Sequence, residues 1–188
     1  NAVINLCVVM FVVDFYSSNI SDEYFTLLSV CMLTSVICRL GADSLIVREV
    51  GKYTNEKNTE IPKSIIWIFL IIILCHFLIF SLYFIVENKF HLTSNNFFPL
   101  ILSIILFSIN ITVSFIFQGL SRIKDSILMN LMIPNIFFII INFMSNLNDV
   151  GGILYVYSFS LLLSILFSIS RIIAHGLKFN ETRTVLPS

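Results

Sequence analysis

Charge is scarce in this chain: Asp, Glu, Lys and Arg make up only 12% of its 188 residues, about half the share of an ordinary soluble domain. Eleven basic residues cancel eleven acidic ones, so net charge points to no nucleic-acid partner, which would call for a basic face. Glycine (six) and proline (four) are too few for a disordered or fibrous chain. The four cysteines, Cys7, Cys31, Cys38 and Cys75, sit singly in apolar runs without the paired spacing of a zinc or redox site, and read as core thiols. There is no glycine-rich phosphate loop and no serine elbow. The residues therefore predict no catalytic centre, no metal site and no cofactor, and the chain does not read as an enzyme.

What is abundant is apolar. Hydrophobic residues reach 57%, with nineteen Phe against one Trp, and the mean hydropathy is +0.97. Six runs follow one another with little polar sequence between them: 1–13, 23–50, 64–86, 97–117, 126–144 and 153–174. Most approach or exceed the ~20 residues of a spanning helix. Period-two alternation is missing, and a membrane admits only helices or closed barrels, so strands are not expected. The fold class expected is an all-α membrane protein, a six-helix transmembrane bundle over 1–175 with a cytoplasmic linker at 176–188. The first run is too short to span and begins without an initiator Met, which reads as a truncated first helix; a signal peptide would need a basic start and a cleavage site. Gly119 is expected as a helix C-terminal cap, Asp125 as an N-terminal cap, and the "DVGG" at 149–152 as a break before the last helix.

Lys and Arg alternate with the links. Arg48, Lys52, Lys57 and Lys63 follow the second run, Arg122 and Lys124 the fourth, and Arg171, Lys178 and Arg183 the sixth, whereas the other connections carry only Lys89. Positive charge favours the cytoplasmic side. This predicts a multi-pass protein with N-terminus and C-terminal tail both cytoplasmic. Arg39 and Asp43 precede the first basic loop and, read as one helix, share a face with Ser35. Intramembrane charges either pair and anchor a helix end or face a polar cavity and mark a transport route.

Other polar residues line up on helical wheels. Tyr157, Ser160, Ser164, Ser168, Arg171 and His175 share a stripe; so do Ser103, Asn110, Ser114, Gln118 and Ser121; Asn135, Asn142 and Asn146 cluster on the fifth run. Such residues glue membrane helices together. Several long stripes also suggest helices around a hydrated cleft, with Pro134 kinking the fifth helix. His76 shares a wheel face with Tyr83 and Glu87, so a His76–Glu87 proton relay is a candidate beside a packing histidine.

Two segments carry a family likeness. "EYFTLLSVCMLTSVICRLGADSLIVREVGKY", Glu23 to Tyr53, and "FIFQGLSRIKDSILMNLMIPN", Phe115 to Asn135, resemble the second helix and the fourth-to-fifth helix junction of bacterial O-antigen and polysaccharide flippases of the Wzx-like kind. That resemblance implies membership of the multidrug/oligosaccharidyl-lipid/polysaccharide flippase superfamily, whose members pair two six-helix lobes around a cavity. This chain would be an N-terminal lobe fragment, its partner a second lobe lying outside the chain. The implied cargo is an undecaprenyl-pyrophosphate-linked glycan, moved across the bacterial inner membrane by alternating access amid membrane lipid. On that reading Arg39, oriented by Asp43, and then Arg171 would take the pyrophosphate. Asn110, Gln118, Asn135, Asn142 and Ser164 would meet sugar hydroxyls. A drug or cation exporter of the same superfamily, or a membrane subunit such as a repeat-unit polymerase, are the alternatives.

Overall fold

Seven helices account for nearly all of the described residues in a computed structural model. It describes residues 2–55, 60–61, 63–90, 96–145, 147, 149–174 and 178–179, with side chains over 3–52, 65–81, 96–145, 147 and 149–174. The helices are α1 (Ala2–Phe15), α2 (Ser18–Arg39), α3 (Ala42–Asn55), α4 (Lys63–Phe90), α5 (Phe97–Gly119), α6 (Ile123–Ser145) and α7 (Val150–Ala174). Four of them, α2, α5, α6 and α7, are long and apolar enough to cross a membrane. Large apolar side chains stay outward, among them Leu33, Trp67, Phe77, Phe143 and Ile173. Such a surface suits lipid rather than water.

The second apolar run is not one helix. It breaks after Arg39, where Leu40 (φ 46°) and Gly41 (φ 73°) both adopt left-handed backbone. The Leu40 N–H reaches back to the Ile37 carbonyl and closes α2. Gly41 takes that conformation at little cost, whereas Leu40 does so against its Cβ. The apolar pattern hides the break because it continues beyond it: Ala42, Ile46 and Val50, at i, i+4 and i+8, form the buried stripe of α3 against α5.

Three local expectations change. Gly119 is the last residue of α5 rather than its cap, and its bareness serves packing: a Cβ there would meet the Val50 Cβ at 2.6 Å. Asp125 lies in the first turn of α6, where it takes the cations Arg122 (3.6 Å) and Arg171 (3.5 Å) instead of capping. Gly151 and Gly152 are inside α7, and Asp149 starts that helix by accepting the Gly152 N–H at 2.8 Å.

α6 carries a wide π turn at Leu128–Met132, in which the Ile133 N–H bonds the Leu128 carbonyl. The next donor in that register would be residue 134. Pro134 has none, so the Met129 carbonyl is left without a backbone partner. Two side chains supply it: Ser164 Oγ from α7 donates at 2.5 Å and Asn110 Nδ2 from α5 at 3.5 Å. Inside a membrane such substitution is what makes irregular backbone tolerable.

α5 and α7 form the centre and pack on each other along their small residues, with Ser103 and Ser158 joined at 2.8 Å. Apart from α3, which stays at one end beside the close of α5, the helices run alternately up and down. At one end Asn96 of the α4–α5 turn bonds Glu23 (2.8 Å) and Tyr16 of the α1–α2 turn bonds Asn142 (2.8 Å). At the opposite end Arg171 meets Asp125, and residues 60–61 pair in parallel with 178–179. That second end collects eight described cations, Arg39, Arg48, Lys52, Lys63, Arg122, Lys124, Arg171 and Lys178; the first has Lys89 among Asp14, Asp22, Glu23, Glu87 and Asp149.

Candidate functional site

Arg39 ends α2 at the basic end of the bundle and is 5% exposed. Its Nε donates to Asp43 Oδ1 at 3.0 Å and Oδ2 at 3.3 Å, and Nη1 donates to Ser35 Oγ at 3.0 Å. Ser35, fully buried, donates in turn to the Met32 carbonyl at 3.2 Å. The pairing predicted from spacing along one helix is therefore present, but it spans a break: Asp43 stands in the first turn of α3, where a carboxylate also faces the positive end of the helix dipole. Nη2 makes no hydrogen bond among the described residues. A buried guanidinium with one edge fixed and one nitrogen unpaired is equipped to take an oxyanion.

The other predicted residues divide. Asn110, Ser164 and Asn142 are fully buried between helices. The first two hold the Met129 carbonyl, while Asn142 donates to the Phe138 carbonyl at 2.9 Å and accepts from the Tyr16 hydroxyl. Ser160 and Ser168 bond back to their own helix at 2.8 Å. Most of these side chains are thus enclosed between helices rather than around a cleft: Ser103 of α5 meets Ser158 of α7, and Ser164 of α7 meets the Met129 carbonyl of α6, where serine is small enough to let the backbones approach. Gln118 Nε2 donates to Ser126 at 3.1 Å, near the paired Arg171 and Asp125. His76 is buried with Nδ1 at 2.7 Å from the Ile72 carbonyl, beside an apolar cavity of about 240 Å³ between α4 and α5. The side chains of Glu87, Asn146 and His175 lie outside the described ones.

One polar cavity combines Tyr157 and Asn135, which belong to two different wheel groups, with residues that no wheel group contains. About 300 Å³ in volume, it lies between α1, α2, α5, α6 and α7. Its polar lining is Asn5, Asn130, Asn135, Tyr24 and Tyr157. Asn135 Nδ2 donates to Asn5 Oδ1 at 3.0 Å. Asn130 stands about 140° from Asn135 on a regular wheel, so it falls outside the Asn135–Asn142–Asn146 cluster. The signal available in sequence was its place four residues before Pro134, in the turn that a proline disturbs. No protein-family description, curated protein or solved structure matches this chain.

Proposed function

We propose that the chain is a lobe of a membrane transporter for an amphiphile with an anionic head, an undecaprenyl-pyrophosphate-linked glycan, in the bacterial inner membrane. The observation that carries the reading is Arg39: 5% exposed, at the end of a spanning helix, held on one edge by Asp43 and with Nη2 unpaired. An isoprenoid tail is at home in lipid, whereas a pyrophosphate in hydrocarbon without a partner costs many kcal/mol. Arg39 supplies that partner. Asp43 fixes the guanidinium before the cargo arrives, and a pyrophosphate, carrying more charge, then competes for the same Nε edge.

The basic end of the bundle is the cytoplasmic one in this reading. The six apolar runs then act as a lobe that packs on a second lobe outside this chain, with lipid around both. Asp43 is already paired with Arg39, so it does not serve as the free carboxylate that a drug or cation exporter would use.

The test is glycan export in cells with the natural protein replaced by variants, with the amount of membrane-inserted protein measured beside it. Arg39→Ala abolishes export at normal protein level, Arg39→Lys keeps part of it because charge survives without the fork, and Lys57→Ala is nearly silent. Normal export in Arg39→Ala at normal protein level would make Arg39 a helix-end anchor and end the transport reading.

A further inference from the structure

The cavity between α1, α2, α5, α6 and α7 has a composition unlike the rest of the interior. Tyr24 and Tyr157 are 1% and 6% exposed, yet neither phenol forms a hydrogen bond among the described residues, and both line the cavity. The Asn130 amide lines it too and is likewise unpaired. Buried hydroxyls and amides without partners are costly, more so in a membrane than in a water-soluble core. Two phenols of buried tyrosines and one half-buried amide, each without a hydrogen bond among the described residues, line this one cavity and mark a place to be filled by something that hydrogen-bonds.

The chemistry narrows the occupant. No Asp, Glu, Lys, Arg or His lines the cavity, so an ion entering it would find no counter-charge, and the described residues contain no group of side chains that could hold a metal. A lipid chain would fill the space but leave the phenols and amide unsatisfied, the kind of mismatch a site rejects strongly. What fits is an uncharged group with several hydroxyls and one apolar face.

That face has a counterpart. Phe138 stacks on Tyr24 (centroids 5.8 Å, 16°) and stands edge-on to Tyr157 (5.9 Å, 84°), so the ring wall is locked before any ligand arrives. The volume, about 300 Å³, lies at the lower limit of the ~300–1,000 Å³ range of small-molecule sites. It has room for one ring rather than a chain of them.

We propose that this cavity binds an uncharged, hydroxyl-rich ring the size of a single sugar residue, through the Tyr24 and Tyr157 hydroxyls and the Asn130 and Asn135 amides. That the sugar belongs to a transported glycan rests on the transport reading; the preference for a neutral hydroxylated ring rests on the cavity alone. The π turn before Pro134 contributes Asn130 and Leu131 to the wall, so bending α6 there opens or closes the site.

The experiment is saturation-transfer NMR on the purified chain in detergent, with methyl glucoside and methyl galactoside as probes and methylcyclohexane and sodium pyrophosphate as counterparts. Saturation passes from aromatic side chains to the sugar ring protons, and pyrophosphate does not displace the sugars. Tyr24→Phe and Asn130→Leu each weaken the sugar about threefold to tenfold, the usual effect of deleting one hydrogen bond. Lys124→Gln leaves it unchanged. Circular dichroism on each variant separates lost binding from lost fold, and Tyr157→Phe repeats the test should Asn130→Leu unfold. Absence of transfer to either sugar, transfer undiminished in the folded variants, or equal transfer to methylcyclohexane overturns the proposal. Absent sugar binding beside export that still depends on Arg39 sinks this inference alone; sugar binding beside normal export in Arg39→Ala sinks the transport reading alone.

Discussion

Replacing Gly119 by Ala tests whether the position of α3, and with it Asp43, is set by contact with α5. A Cβ at residue 119 would stand 2.6 Å from the Val50 Cβ, 2.9 Å from its Cγ1 and 3.1 Å from the Val47 carbonyl oxygen. Carbon pairs prefer about 3.5–4.0 Å. Neither a backbone carbonyl nor a Cβ can swing aside, so α3 itself has to move by up to about 1 Å. Overpacking of this kind costs about 1–3 kcal/mol, against a gain of about 1 kcal/mol for replacing a helical glycine by alanine. The net loss expected is about 1 kcal/mol, or about 2–4 °C in melting temperature for a chain of this size. Val50→Ala does not relieve the clash, since it keeps its own Cβ, whereas Val50→Gly does. Thermal unfolding in detergent of Gly119→Ala, Val50→Gly and the double variant supplies a cycle, and the double variant should be more stable than the two losses added, by at least about 0.5 kcal/mol. A Gly119→Ala protein that melts at or above the parent temperature would refute the packing argument. So would strict additivity.

Other expectations follow from the same contacts. Ser164→Ala leaves the Met129 carbonyl with only the long 3.5 Å bond from Asn110 and should cost about 0.6–1.7 kcal/mol, the span measured for hydrogen bonds between membrane helices; in a Pro134→Ala background, where residue 134 regains an N–H, the same change should cost less, as read by chemical unfolding. Burial first, and the nearby Asp149 second, raise the Tyr16 phenol above its usual 10.0. The stability this contributes is complete below about pH 10 and is lost as pH rises through the higher folded value. Tyr16→Phe should therefore flatten the alkaline arm of the melting curve, and a slope unchanged by that substitution would contradict the assignment. For topology, cysteine introduced at Asn95 should react with an impermeant thiol reagent in whole cells and cysteine at Lys57 should not, the native four having been replaced; both positions lie outside the described residues.

The membrane character of this chain is legible because composition and run length bear on it directly, whereas the end of α2 at Arg39, inside the second apolar run, is not. The Arg39–Asp43 contact is legible too, although its geometry is not: a four-residue spacing places two side chains together along a helix, and the tight Leu40–Gly41 turn happens to do the same. That turn escapes a hydropathy reading because Leu40 is apolar and the stripe Ala42, Ile46, Val50 resumes at once. The role of Gly119 depends on how close α3 lies, which is a tertiary fact. Wheels place Ser103, Asn110, Ser160 and Ser164 on stripes but cannot say what a stripe faces; here Ser103 meets Ser158, off the α7 stripe, and Ser164 meets α6.

Sorting the buried polar groups by what they bond separates structural work from the remainder. Thr112, Ser160 and Ser168 donate to carbonyls four residues back in their own helices, at 2.8 Å each, and so add little beyond local satisfaction. Ser103 and Ser158 join α5 to α7, and Ser164 and Asn110 repair the carbonyl that Pro134 orphans. These assignments give most of the polar stripes a packing role. What is left over among the described residues is Arg39 with no bond at Nη2, the phenols of Tyr24 and Tyr157 with the half-buried amide of Asn130 around one cavity, and the buried, unpartnered atoms His76 Nε2, Ser108 Oγ, Asn110 Oδ1 and Ser114 Oγ. A chain selected only to sit in lipid would lose little by replacing Tyr24, Tyr157 and Asn130 with apolar residues of similar size, since desolvating an unpaired polar group is a cost with no return inside the fold, whereas removing Arg39 would leave the Asp43 carboxylate without its partner. On the proposed reading Arg39 meets an anionic head and the cavity lining an uncharged ring: Arg39 stands at the basic end of α2, and the phenols and amide surround the cavity that α2 shares with α1, α5, α6 and α7. On that reading the two sets would serve one molecule that carries a charged and a neutral polar part.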